Sequence, residues 1–288
     1  MEKKQKLIAL LTAGIAAVIA VALRIYELAV TIDPDTGFWQ YSDPTQFIMY
    51  ALLLVVLVVA FVFGSVKKQT ASPTILTEPD IGTGICAALV TAAFLYDGVV
   101  GIIRLTALSA DFDPYAMTLG YFIISTGFLA KIFQILFAIL SAVWFGLYSA
   151  DRFAGTNLCR KLGAMAINPV LWGVARLLIA FVTPIKFKNV SQLLLELLFL
   201  LVALPALFSF ARLLYGVEAE NRMRTFTWCG TTAAVLGYVT AFAPFCLILT
   251  GNYHLLAPDY PVQYPELAIA VFFTYLLVKG ARRGASED

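Results

Sequence analysis

Seven ionisable side chains interrupt stretches that are otherwise apolar enough to lie in lipid: Arg24, Glu27, Asp97, Arg104, Lys131, Arg176 and Glu196. A charge in hydrocarbon is costly, so each needs a named partner, and its default reading is functional. Asp97 and Lys131 sit well inside neighbouring antiparallel segments at similar depth, which predicts a carboxylate–ammonium pair. Asp97 and Arg104 are seven residues apart, two helical turns along one face, with Gly101 between them leaving room for a helix or a ligand. Together Asp97 and Lys131, rimmed by Arg24, Glu27 and Arg104, would make an outward-facing polar site for a small or anionic solute.

Each of these residues also has a structural explanation. Asp97 and Lys131 can be an ion pair that does no more than hold helices together, because such pairs mimic functional ones. Arg24, Glu27 and Arg104 lie near enough to the interface to reach headgroups along their aliphatic stems. Glu196 stands about one turn into its segment, where a carboxylate suits a helix N-terminus.

Acid–base, metal and redox chemistry have little to work with. His254 is the only histidine. With Asp259 it could serve a serine nucleophile, but no G-x-S-x-G turn exists, and the plainer role is a loop side chain. No HExxH or CxxC spacing is present, so no metal, no cofactor and no catalytic residue is assigned. Asp33-Pro34-Asp35 and Asp111-Phe112-Asp113 resemble the carboxylate pairs that hold a metal in some membrane glycosyltransferases, yet each aspartate also suits a turn or cap. Without a Walker motif, the chain has no recognisable means of hydrolysing ATP.

The elements that must position these residues are transmembrane helices. Hydrophobic residues make up 61% of the 288-residue chain and charged residues 13%, too apolar for an ordinary soluble domain. A helix crossing a ~30 Å hydrocarbon core needs about 20 apolar residues, and backbone groups in lipid must bond within their own segment. The fold class expected is all-α and polytopic. About eight spans are predicted, at 7–31, 46–64, 83–109, 116–149, 169–186, 191–214, 224–250 and 265–280. The fourth is too long for one straight crossing and should begin as an interfacial turn or bend near Gly127; a ninth segment is the alternative. Asp43-Pro44, Asp113-Pro114 and Asn168-Pro169 place a capping side chain before a proline at a helix start, and Asn189 or Ser191 can cap the sixth span.

A pattern occurs twice: Arg24-x3-Leu28-x3-Ile32-Asp33-Pro34 and Arg104-x3-Leu108-x3-Phe112-Asp113-Pro114. It relates a hairpin over 7–64 to one over 83–149, both in the same orientation, and the second half reads as hairpins over 169–214 and 224–280. The whole of 1–288 is then one transmembrane domain of four consecutive hairpins.

Lysine and arginine set the orientation. Fourteen basic residues fall at the termini and on alternate connections, against four on the others, with Lys131 and Arg176 inside spans. Both termini are expected in the cytoplasm, and a cell-membrane location is expected with them. The first span is too long for a removable signal peptide. The net charge of +2 is topological bias rather than a nucleic-acid footprint. The aromatics of the outer connections, among them Phe38, Trp39, Tyr41, Tyr115, Tyr121, Phe122, Tyr253, Tyr260 and Tyr264, suit an interfacial belt, or less commonly the mouth of a cavity.

Three functional classes are compatible with these features. A transporter or permease-like subunit ranks first, on the spans, the repeat and the polar residues at depth. A non-catalytic sensor, assembly or accessory membrane protein ranks second, and an intramembrane enzyme on a lipid-linked substrate third. The partners expected are membrane lipids and a small solute, with room for a partner subunit or a second copy.

Overall fold

The computed structural model describes residues 2–33, 44–65, 74–115, 118–156, 158–182, 190–217, 219–256 and 262–283. Every element among them is helical. The main helices are α1 (Glu2–Tyr26), α2 (Thr45–Ser65), α3 (Ile81–Ala110), α4 (Leu119–Thr126), α5 (Phe128–Ala154), α6 (Asn168–Val182), α7 (Val190–Leu214), α8 (Ala219–Gly237), α9 (Ala243–Leu249) and α10 (Tyr264–Arg283). Eight helical stretches among the described residues are long and apolar enough to cross a membrane. The chain is an all-α integral membrane protein by that criterion.

Two stretches carry a π-helical turn. α1 continues through Glu27–Thr31, where the Ile32 amide bonds to the Glu27 carbonyl five residues back. α8 passes into α9 through Tyr238–Phe242, where the Ala243 amide bonds to the Tyr238 carbonyl. Each turn adds a residue to the helix and shifts the register of the residues beyond it.

The long fourth segment divides at Gly127, which adopts a left-handed conformation (φ 63°) open to glycine at little cost. At 1.5 Å per residue, the eight residues of α4 extend only ~12 Å, too short to cross, so α5 makes the span and α4 is not a ninth. α4 is capped by Thr118, whose hydroxyl accepts from the Tyr121 amide, and not by Asp113 as the sequence suggested. Asp113 closes a turn by accepting from the Tyr115 amide two residues on.

The chain divides into two compact units, one of Met1–Glu78 with Lys186–Asp288, the other of Pro79–Ile185. In the Pro79–Ile185 unit, α5 is central and packs on both α3 and α6. The space beside Gly101 is filled by a neighbouring helix: a Cβ there would lie 2.7 Å from Ile135. Phe94, Phe145 and Trp172 are fully buried, with the Phe94 ring stacked on Phe145 and edge-on to Trp172. Beyond the C-terminus of α5 the chain is folded back by Asp151. Its carboxylate accepts from the amides of Leu158 and Cys159 at 2.8 and 2.7 Å and from the Thr156 hydroxyl. Asp80, which the sequence did not single out, caps α3 by accepting from the Thr83 amide.

In the other unit, α8 is central and packs on α2, α7 and α10. α1 packs on α2 and reaches the π-turn Tyr238–Phe242. This unit holds the buried charges of α1.

Candidate functional site

Arg24 lies in the last turn of α1 with no exposed side-chain surface. Its Nη1 donates to Glu27 Oε2 at 3.0 Å, and Glu27 is equally buried. Its Nη2 donates to Ser191 Oγ at 3.3 Å and to Gln192 Oε1 at 3.0 Å, both at the start of α7. The headgroup reading of Arg24 and Glu27 therefore gives way: the two charges face the protein interior and each other. Ser191, expected as a helix cap, receives the guanidinium instead.

The Gln192 amide extends the network. Its Nε2 donates to the Thr240 carbonyl at 2.8 Å. Thr240 lies four residues before Pro244, which has no N–H, so a helix running through Pro244 leaves that carbonyl without its usual donor. Gln192 supplies one. Only one orientation of the amide satisfies both contacts, because arginine can only donate and a carbonyl can only accept. A buried cation on α1 is thus wired through one side chain of α7 to the π-turn between α8 and α9.

The other π-turn begins at Glu27 itself, with the Thr31 hydroxyl donating to the Glu27 carbonyl at 3.0 Å. One turn further, Leu28 and Ile32 pack against Leu247 with Ile25, Leu255 and Leu256 beside them, an apolar seal next to the charges. Tyr50 of α2 stands in the electrostatic field of both Arg24 and Glu27. Glu196, one turn along α7 from Gln192, is only 5% exposed and so is not a solvated N-terminal carboxylate.

Asp97, Lys131 and Arg104 belong to the Pro79–Ile185 unit. Asp97 does not pair with Lys131; among the described residues it forms no ion pair. Its Oδ2 accepts instead from Trp172 Nε1 at 2.8 Å and from Gln134 Nε2 at 3.1 Å. Lys131 is half-buried, three residues before Gln134 on α5. Arg104 is exposed, as a headgroup anchor would be. Arg176 is buried and lies over the Trp172 ring, 5.2 Å from its centroid. The structure thus gathers Arg24 with Glu27, and sets Asp97 on the neutral donors Trp172 and Gln134 rather than on Lys131.

The two copies of the repeated pattern diverge in their surroundings. Arg24 is buried beside a π-turn, whereas Arg104 is exposed on a regular helix. Position 27 is glutamate in the first copy, and the matching position in the second is Ala107. Only the first copy has the carboxylate that lets its arginine turn inward.

His254 is exposed and meets the ring of Tyr253. No group of three or more His, Cys, Asp or Glu side chains among the described residues is placed to hold a metal. Asp35, Asp43, Asp259, the residues Phe38, Trp39, Tyr41 and Tyr260, and the basic residues Lys67, Lys68, Lys186 and Lys188 lie outside the described residues.

Gln192, Tyr50, Gln134 and Trp172 were not picked out from the sequence. They are neutral polar or aromatic residues in apolar runs, and only their distance from a charge gives them meaning. A weak signal existed: Gln134 and Trp172 lie three and four residues from Lys131 and Arg176, within one helical turn.

No protein-family model matches the chain, and no similarity to a curated protein or to a solved structure reaches significance.

Proposed function

We propose that the chain is a transporter or permease-like subunit that takes a small or anionic solute at a polar site on its outward-facing side. One observation carries this reading: the buried Arg24 guanidinium is joined through Gln192 to the Thr240 carbonyl in the π-turn between α8 and α9. Single-turn π-bulges inside α-helices occur frequently at functional sites, and a charge bonded to one could exchange that bond for one to a solute. Asp97, held by Trp172 and Gln134, is a second polar group within a span, with Arg104 seven residues further along the same helix.

The orientation proposed has both termini in the cytoplasm of a cell membrane, on the asymmetry of lysine and arginine. The order proposed is four consecutive hairpins. Packing of α1 on α2, of α3 on α5 and of α7 on α8 is compatible with neighbouring antiparallel spans. Membrane lipids surround it, and a partner subunit or second copy is compatible with the absence of any nucleotide-hydrolysing motif.

A specific observation favours the second reading, an accessory or assembly protein. Arg24 is neutralised by Glu27 of its own helix, and its Nη groups are both bonded within the chain. One experiment separates the readings. The purified chain is screened by thermal shift against a panel of anionic, cationic and neutral small solutes, because a ligand of the native state raises its apparent stability. Saturable stabilisation that is lost in Gln192→Leu, together with uptake of the same solute into proteoliposomes, supports transport. Absence of any solute-dependent shift across the panel sinks it in favour of the accessory role.

A further inference from the structure

The seam between α3 and α5 fixes where two basic side chains of the Pro79–Ile185 unit lie. Gly98 meets Ile139 and Gly101 meets Ile135, so the two helices run in opposite directions, and a Cβ on Gly101 would stand 3.9 Å from that of Ile135. One turn beyond that contact, toward the Ala110 end of α3, come Arg104, three residues after Gly101, and Lys131, four residues before Ile135. At ~100° per residue these steps turn both side chains off the contact line by only ~40–60°, and on antiparallel helices to the same side of the seam. The Asp97–Gln134 hydrogen bond marks that side, since the same construction places both of its members there.

Arg104 and Lys131 are therefore neighbours at one level of the seam, the first exposed and the second half-buried. Neither side chain makes an ion pair or a hydrogen bond among the described residues. The carboxylate on their side, Asp97, lies two turns deeper along α3 and accepts from Trp172 and Gln134. Two adjacent cations repel each other, and an anion between them removes that cost. The depth says which anion. The 30 residues of α3 extend ~45 Å, and Arg104 lies ~9 Å from the end, so a centred span sets it at the edge of a ~30 Å hydrocarbon core, within reach of lipid phosphates. Exposed Val99, Ile102 and Ile103 of α3 and Leu129 and Ile132 of α5 supply apolar surface near the two cations, which acyl chains need and a free phosphate does not.

We infer that Arg104 and Lys131 hold the phosphate of an anionic phospholipid at the seam of α3 and α5. The guanidinium fork takes two phosphate oxygens and the ammonium adds a point charge. A zwitterionic headgroup brings its own ammonium, which two cations without a bonded carboxylate disfavour. The inference is independent of the transport reading and holds for an accessory protein as well.

The test uses the full chain in detergent micelles doped with phosphatidylglycerol or with phosphatidylcholine, followed by thermal shift, with inorganic phosphate at constant ionic strength as the lipid-free arm. Saturable stabilisation by phosphatidylglycerol, well above that by phosphatidylcholine, is expected. Arg104→Gln and Lys131→Gln should each raise the half-saturating lipid fraction about fivefold, and together about thirtyfold, the share carried by a basic residue close to an anionic lipid surface. Without added lipid, neither should lower the melting temperature, because neither side chain has a bonded partner to lose. Lys131→Arg keeps the charge and should keep the preference; its loss there would trace the effect to packing and overturn the site. Lys161→Gln with Arg224→Gln removes the same charge from exposed positions elsewhere and should leave the preference intact. An equal response to the two lipids, or an equal loss in that distant double variant, overturns the site. Stabilisation by inorganic phosphate alone also overturns it, since the ligand would then be a free anion.

Discussion

Arg24 and Glu27 are joined Nη1 to Oε2 at 3.0 Å, three residues apart on one helix, with neither side chain exposed. The spacing places both on one face, which is buried, and the π-turn begins at Glu27 itself. Taking one partner away strands the other in a buried site. Arg24→Met and Glu27→Met should each cost about 3–5 kcal/mol, whereas the double variant should recover most of the loss, because burying a pair is nearly balanced and burying a lone charge is not. Unfolding of all three variants in detergent, compared as a double-mutant cycle, reads the coupling. Additive losses would show that the two charges do not depend on each other.

The Gln192 amide supports two elements at once, so its loss should exceed that of an ordinary hydrogen bond. Gln192→Leu leaves both an Arg24 donor and the Thr240 carbonyl without their partner, for an expected cost of about 2–4 kcal/mol. Pro244→Ala restores an N–H near that carbonyl and should recover part of the cost in the Gln192→Leu background while doing less in the wild type. Chemical denaturation of the four proteins measures this. Equal effects of Pro244→Ala in both backgrounds would show that Gln192 does not compensate for the proline.

The number and rough position of the spans were legible in the sequence because hydropathy over about 20 residues is a sum, insensitive to which neighbour a residue meets. The break at Gly127 was legible too, since a glycine in a segment too long to cross straight has few other uses. The two π-turns were not. Glu27–Thr31 and Tyr238–Phe242 have compositions that fit a regular helix, and their geometry depends on what packs beside them. The charges were found, but their partners were misjudged: Asp97 meets Trp172 and Gln134 rather than Lys131, because matched depth on adjacent helices does not fix the rotation of either. The buried state of Arg24 was missed for a related reason. An arginine near the end of a span reads as interfacial until Ser191 and Gln192, 167 and 168 residues away, are known to face it.

Asp97 presents one oxygen to two donors, which an asparagine oxygen can also accept. Asp97→Asn should therefore fold with stability within about 1 kcal/mol of the wild type, while removal of the Trp172 donor in Trp172→Phe should cost about 1 kcal/mol. If Asp97 and Lys131 take part in solute binding, Asp97→Asn and Lys131→Met should each abolish solute-dependent stabilisation without unfolding the chain. Should both singles unfold it and the double change restore it, the two residues are a structural pair and leave the proposed site.

Cys159 lies outside the spans and is 3% exposed, with its thiol toward the Trp144 carbonyl and its amide bonded to Asp151. Burial first, and the Asp151 carboxylate second, push its pKa up from 9.0 to about 12. The folded state therefore keeps a proton that the unfolded state begins to lose near pH 9. Because the native form binds more protons over that interval, stability should fall as pH rises from about 9 to 12, and below about 9 this residue should contribute no slope. Cys159→Ser should flatten that part of the stability–pH curve. Alkylation by a maleimide gives an independent reading: the thiolate is the nucleophile, so Cys159 should react slowly from about pH 7 to 9 and without the increase an ordinary thiol shows. Asp151→Asn weakens the anchor on Leu158–Lys161 and should speed the reaction by opening the loop. Rapid labelling of Cys159 in the wild-type fold near neutral pH would show that the Asp151 anchor does not hold the thiol buried.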